Sequence, residues 1–283
     1  MRYLKTTEAA ALLDVGPSTL RAWERRFGFP KPQRSLGGHR HYPHGEVAAL
    51  RDALQEGLSI SAAVMRARAG LAADADSLVR ALLAYDRGRA DRAIETALAL
   101  RSVEGSVEEV LLPSLDEIVS RLGGDSAAWA FSARWADEWL RRAACLAPPP
   151  RPQLSILLGH ALRDELDPDG PCIRALELFC LRAGIRVLSL PVGVLNGIGD
   201  AALVHRPDLV VLAGAEVNDA AVARWAQVIG RSVGPLPLAL YRSSSTRVAG
   251  TVLPRGPAEA QLNLRELADP AVPAAVVGLA RAG

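Results

Sequence analysis

The chain has 283 residues, 49% of them hydrophobic but only 5% aromatic, and a net charge of +2. That allows two or three modest domains with cores filled mainly by Ala and Leu, and no run approaches the roughly 18 uncharged apolar residues of a membrane span. The start, MRYLKTTEAA, has neither the apolar stretch nor the cleavage site of a secretory signal. Cys145, Cys172 and Cys180 form no C-x-x-C pattern, which leads one to expect buried, reduced thiols in a cytoplasmic protein.

Thr6 can cap a first helix on which Ala9, Leu12 and Leu13 face inward. Gly16-Pro17 then supplies a turn, with Pro at the first position of a second helix. On that helix Leu20, Trp23 and Phe27 recur at i, i+3 and i+7 and predict one buried stripe. Ser18, Arg21, Ala22 and Arg25 fall on the other face. A Gly-Gly hairpin follows within Lys31–Tyr42. Residues 17–42 carry six basic side chains (Arg21, Arg25, Arg26, Lys31, Arg34, Arg40) and one acid, Glu24. Residues 1–70 hold eleven Lys and Arg against six Asp and Glu, so the remaining chain sums to −3. The positive excess therefore sits on the helix and hairpin, the footprint of a phosphate-binding surface. Double-stranded DNA is the partner this pattern fits.

The motifs T-x-x-E/A-A-x-L, V-x-x-S-T-L-R-x-W-E-R-R-F-G and P-x-R-x-x-G-G-H-R-x-Y resemble, in order and spacing, the winged helix-turn-helix of the MerR family of transcription regulators. The match spans residues 3–68. The resemblance implies that the second helix enters the major groove and the hairpin grips the flanking backbone. Transferred residue by residue, the DNA-binding set is Ser18, Thr19, Arg21, Arg25 and Arg26 on the helix and Arg34, His39, Arg40 and Tyr42 on the wing. Ser18, Arg21 and Arg25 are the candidates for base edges, the others for phosphate. His39, His41 and His44 have no Cys near them and stand where the family has polar and aromatic wing residues, so no metal is expected.

A short helix over Ser59–Arg68, ending at Gly70, precedes a polar break, LAADADS. Residues 76–146 then read as four helices, at Ser77–Arg87, Ala90–Leu100, Gly105–Leu122 and Asp125–Leu146. Ala147-Pro-Pro-Pro-Arg-Pro reads as a stiff linker. Beyond it, apolar runs at Leu154–Leu158, Arg186–Leu190, Leu209–Ala213 and Leu236–Tyr241 alternate with helix-length segments, which predicts a parallel sheet in a Rossmann-like domain. The fold class is thus α followed by α/β, in three parts: residues 1–70 winged helix-turn-helix, 76–146 four-helix bundle, 153–283 Rossmann-like domain.

That layout resembles the CarH/LitR-type photoreceptor regulators of the MerR family, which hold adenosylcobalamin between bundle and sheet domain. The resemblance beyond residue 70 rests on layout, on Pro113 and on LRAGIRVLSL. It implies a D/E-x-H-x-x-G loop carrying the cobalt-ligating imidazole. Here that loop is DPDGPC (Asp167–Cys172), with Asp169 in the histidine's place, and His160 comes too early. The bundle's W-x9-E-H motif falls on Leu122, Ser132 and Ala133. Where the fourth strand should end in Gly-Gly stand Leu240, Tyr241 and Arg242, an obstruction to a nucleotide tail. No cofactor is therefore expected, cobalamin included.

Phe131, Trp135 and Trp139 share one stripe of the last bundle helix, with Trp129 off it. They are expected to pack on neighbouring helices, with the sharper possibility that they fill the space a corrin would take. Three readings remain. In the first, the protein is a non-enzymatic DNA-binding regulator whose carboxy-terminal half serves self-assembly or protein contacts. In the alternative, it is a light- or ligand-responsive regulator taking adenosylcobalamin or another small molecule, with Arg163, Asp164, Glu165, Asp167 and Asp169 around a polar mouth. A cobalamin-dependent mutase or methyltransferase ranks last. Ser243-Ser244-Ser245 and the glycines of Gly193–Gly199 are too loose for a nucleophile elbow or phosphate loop.

Overall fold

The computed structural model describes residues 3–35, 37–150, 154–214, 219–243 and 248–268. Leu36, residues 151–153 of the linker, Ser244, Ser245 and the last fifteen positions of the third segment lie outside them. The chain divides into two compact units, Met1–Ser132 and Ala133 onward.

In the first unit, β1 (Tyr3–Lys5) leads into α1 (Thr6–Leu12) and, after a turn, α2 (Pro17–Phe27). Thr6 is already helical rather than the cap; Lys5 precedes the helix, and its backbone N–H donates to the Glu8 carboxylate at 2.8 Å. Pro17 opens α2 as expected, and Gly28 closes it in the left-handed region (φ +60°), its N–H returning to the Glu24 carbonyl. An L side chain there would be strained. β2 (Gln33–Arg34) and β3 (Arg40–Pro43) form the hairpin, and with β1 they make an antiparallel sheet of order β1-β3-β2. α3 (His44–Gln55) follows. Leu4, Leu13, Leu20, Tyr42, Val47, Leu50, Ala63 and Val64 form one buried core, with Trp23 and Phe27 packed on its edge.

α4 runs from Ile60 to Leu83 without interruption, so the expected stop at Gly70 and the polar break do not occur. A mid-helix glycine costs only about 1 kcal/mol relative to Ala, and the Ala-rich flank carries no proline. Tertiary bonds hold this stretch: the Ala75 carbonyl lies 3.1 Å from Ser114 Oγ, and Asp74 pairs with Arg101. The first of the four expected bundle helices is therefore the end of α4. α5 (Arg87–Leu100), α6 (Val103–Ser106), a π-helical turn (Val107–Leu111) and α7 (Leu112–Leu122) follow. Pro113 explains the π turn. It has no N–H to return to the Glu109 carbonyl, and the Leu112 N–H instead reaches back five residues to Val107. α8 (Ala127–Cys145) begins where Ser126 Oγ accepts the Trp129 N–H.

The second unit takes the rest of α8 and a five-stranded, all-parallel sheet of order β5-β4-β6-β7-β8: β4 (Ser155–His160), β5 (Arg186–Pro191), β6 (Leu209–Ala213), β7 (Leu238–Tyr241) and β8 (Thr251–Val252). Four of these are the apolar runs read from the sequence; the two-residue fifth is too short to show a period. Helices α9 (Gly170–Arg182), α10 (Ile198–His205), α11 (Asp219–Val233) and α12 (Pro257–Leu267) connect or follow the strands. Leu157, Val210, Leu212, Trp225, Ile229 and Leu240 are among the residues of the core on one face. Cys172 and Cys180 are buried, but Cys145, expected inside, is exposed near the end of α8.

Candidate nucleic-acid interface and sheet cavity

The exposed face of α2 carries Ser18, Thr19, Arg21, Arg25 and Arg26. Arg21 Nε reaches only the Pro17 carbonyl of its own helix (3.2 Å), and the Arg26 guanidinium stands 5.0 Å over the Phe27 ring. No carboxylate pairs with Arg21, Arg25 or Arg26 among the described residues. Arg34 and His39 are exposed on the hairpin. The structure thus brings seven of the nine sequence-selected residues to the surface of one subdomain.

The other two turn inward. Tyr42 is fully buried and its hydroxyl donates to Glu24 Oε2 at 2.9 Å; Arg40 Nε donates to the same oxygen at 3.0 Å. Burial, reinforced by the Glu24 carboxylate, pushes the Tyr42 phenol up to about 12. Tyr42 therefore joins hairpin and α2 instead of standing on the surface, and Arg40 is largely spent on Glu24. Glu24 is the lone acid in a basic run, and that isolation is its signal in the sequence, since a single carboxylate among cations gathers them.

A polar seam ties this subdomain to the π turn. Tyr3 Oη and Gln33 Nε2 both donate to Glu108 Oε2 at 3.2 Å. Arg101 is nearly sealed from solvent; its Nε donates to Glu109 at 3.1 Å. Asp74 lies 2.7 Å from Nη1 but off the N–H direction, an ion pair rather than an aligned hydrogen bond. Glu109 Oε1 is buried without a hydrogen-bond partner, and a Cβ on Gly45 would stand 3.3 Å from it. Glu46, next to Gly45, accepts the Lys31 N–H at 2.5 Å. Burial pushes both Glu46 and Glu109 up to about 7.

In the second unit a cavity of about 560 Å³ opens at the carboxyl ends of β4 and β5, lined by Arg134, Asp137, His160, Asp164, Glu165, Arg174 and others. Burial, and then Arg174, hold the His160 imidazole below its usual range. Of the expected polar mouth only Asp164 and Glu165 line the cavity. Asp167 is buried inside its own loop, accepting the Arg163 and Asp169 backbone N–H groups at 3.0 and 2.9 Å, and Asp169 pairs with Arg242 at 2.5 Å. The aromatic rings of α8 do not line the cavity either. Trp129 and Trp135 are buried, although Trp129 falls off the aromatic stripe, and Phe131 meets the Tyr85 ring edge-on at 5.5 Å. Trp225 stands over Gly159 of β4, where a Cβ would come within 2.6 Å of it, and Leu240 stands over Gly250 at 2.7 Å.

Among the described residues no helix is long and apolar enough to cross a membrane, and no group of three or more His, Cys, Asp or Glu could hold a metal ion. Residues 5–42 match the family model described as MerR family regulatory protein. The HTH-type transcriptional repressor CarA of Myxococcus xanthus is 30% identical over 226 residues, 74% of this chain and 75% of that protein. The transcriptional repressor CarH of the same organism is 31% identical over 136 residues, covering 40% of this chain and 46% of the relative. Among solved structures, a cobalamin-binding protein from Desulfitobacterium hafniense DCB-2 aligns with 67% of this chain and 96% of its own, at a TM-score of 0.35 and 13% identity. With CarA matched across three quarters of both chains, this protein belongs to the MerR family of helix-turn-helix transcriptional regulators.

Proposed function

We propose that the protein is a cobalamin-independent transcription regulator that binds operator DNA through a winged helix-turn-helix, residues 1–70. In this reading residues 76–146 act as a helical bundle, and the Rossmann-like part, residues 153–283, serves assembly or protein contacts rather than catalysis. The observation that carries it is the face of α2, where Ser18, Arg21 and Arg25 stand exposed with no carboxylate among the described residues to satisfy the guanidinium groups. Arg is the residue suited to bidentate contact with a guanine edge. Arg26, Arg34, Thr19 and His39 supply backbone contacts beside it. Arg40 and Tyr42 act through Glu24 by fixing the angle between helix and wing.

A cobalamin does not fit the residues of the second unit. Asp169, where the resemblance asks for the cobalt-ligating imidazole, is engaged by Arg242. The end of β7, where a nucleotide tail would need glycines, holds Leu240 against Gly250 and a fully buried Tyr241 whose hydroxyl donates to the Arg255 carbonyl at 3.0 Å. Trp225 fills the space above Gly159. The cavity beside His160 favours one second reading: a smaller molecule, unlike cobalamin in bulk, enters there and modulates the regulator.

Duplexes selected from a random pool by the purified protein provide the substrate for the test. Arg21→Ala should lower affinity for the selected sequence by about 1–3 kcal/mol while changing random-duplex binding less. Equal loss on both would reduce Arg21 to a phosphate contact, and no binding by the wild type would remove the proposal. Incubation with adenosylcobalamin in the dark, followed by desalting, should leave no visible corrin absorbance. Retained colour that bleaches in light would overturn cobalamin independence.

A further inference from the structure

We propose that the groove between α4 and α5 is a binding site for a phosphoryl group. A cavity of about 320 Å³ is lined there by Ser77, Arg80 and Ala81 of α4 and by Arg89, Arg92, Ala93 and Thr96 of α5. The spacing explains why these residues meet. On α4 they fall at i, i+3 and i+4, and on α5 at i, i+3, i+4 and i+7, so each set is one stripe of a helix. The two stripes face each other because α4 and α5 pack as neighbours, with Ala81 buried and Ala93 partly so at the floor of the groove. Small floor residues leave depth beneath the arginines.

The charges do not balance within the groove. Three of the seven lining residues are arginines and none is an acid. Arg89 is partly spent on Asp86, 3.4 Å away at the cap of α5. Arg80 and Arg92 have no carboxylate partner among the described residues. Asp91 and Glu95 share α5 with Arg92, but neither lines the groove. Elsewhere in this unit arginines with a comparable choice find acids: Arg101 holds Asp74 and Glu109, and Arg121 holds Glu117. Two or three guanidinium groups gathered over one groove repel each other, and a bound dianion reverses the sign of that interaction. A carboxylate would neutralise one of them. A phosphoryl group offers more oxygens and up to two charges, and the planar guanidinium fork matches it bidentately. The Thr96 hydroxyl already donates to the Arg92 carbonyl at 2.9 Å, so Ser77 is the hydroxyl left to donate. The phosphoryl group can belong to a free nucleotide or pyrophosphate, or to the backbone of bound duplex.

Calorimetric titration of the full chain at fixed ionic strength, with pyrophosphate, ATP and adenosine, tests the site. Pyrophosphate and ATP should bind and adenosine should not. Arg80→Gln/Arg92→Gln should weaken pyrophosphate binding by at least about tenfold, and Arg92→Lys, which keeps the charge but loses the fork, by less. These positions are exposed, so the variants should melt with the wild type. If the source is duplex backbone, the double variant should flatten the slope of log affinity against log salt by about 2, and pyrophosphate should compete with DNA. If the source is a free phosphate ester, the slope stays unchanged while the pyrophosphate effect remains. A double variant indistinguishable from wild type in both pyrophosphate affinity and DNA salt slope overturns the proposal.

Discussion

Arginine plays opposite parts on α2 and around the loop between β4 and α9. Around the loop between β4 and α9, Arg163, Arg174 and Arg242 each meet a carboxylate: Asp167, then Asp137 with Glu177, then Asp169. On α2, Arg21, Arg25 and Arg26 meet none among the described residues. In the sequence both sets are simply basic residues, and their charge alone does not tell them apart. What separates them is the geometry of acids. α2 contains one, Glu24, which faces the hairpin and leaves the other face uncompensated. A cation paired inside its own unit holds structure; one left unpaired on a rigid helix is available to a partner.

The comparison is tested most severely at Arg101, the most deeply paired arginine of the first unit. Replacing it with Ala strands Asp74 and Glu109 in a buried seam. The expected loss is about 3–5 kcal/mol of stability, measured by denaturant unfolding. Arg101→Met should cost less only if Glu109 takes up a proton. A loss under about 1 kcal/mol would mean that the seam is wet and the pairing superficial.

The same seam should respond to pH. Glu46 and Glu109 are pushed up to about 7 in the folded chain, from about 4.3 for a free Glu. The folded state then binds more protons than the unfolded one between those values. Stability from these two groups is greatest below the unfolded value, declines as pH rises from about 4.5 to 7, and levels off above. The decline should be on the order of 1–3 kcal/mol per group. Other carboxylates titrate in the same window, so the readout is a difference: the double variant Glu46→Gln/Glu109→Gln should lose less stability than wild type between pH 5 and pH 8. Parallel profiles would show that the two acids titrate normally.

Next in size is Glu24→Gln. Its amide oxygen can accept from both Arg40 and Tyr42 but carries no charge to strengthen either bond, and a loss of about 1–2 kcal/mol in stability is expected. DNA affinity should fall for every sequence, because the hairpin loses its fixed angle to α2. A selective loss on the preferred duplex alone would point instead to direct base contact by Glu24.

The parts of the fold that follow a period were legible. Leu20, Trp23 and Phe27 announced the buried stripe of α2, and four apolar runs announced four parallel strands. Continuity of α4 was hidden because Gly70 and the polar residues after it look like a break, and the contacts that Ala75 and Asp74 make with distant elements are invisible in the sequence. At the site, exposure followed from the helical wheel, whereas the inward turn of Tyr42 did not. Residues on a short strand alternate in facing, and the face that Tyr42 takes is set by where Glu24 comes to lie. The acidic seam was similarly invisible, since Glu46, Asp74, Arg101 and Glu109 are brought together only by tertiary packing.

The smallest expected change in stability sharpens the comparison most. Arg25 is exposed on α2, with no ion pair among the described residues, so Arg25→Ala should leave folding within about ±0.5 kcal/mol of wild type. If its free guanidinium reads a base, affinity for the selected duplex should nonetheless fall by about 1–3 kcal/mol, with a relaxed preference at one base position. If it serves only phosphate, the loss should be the same on all duplexes and the salt slope should drop by about 1. A variant that melts with the wild type and binds every duplex with wild-type affinity would show that an unpaired arginine on this face has no partner. The contrast drawn between α2 and the β4–α9 loop would then reduce to ordinary surface charge.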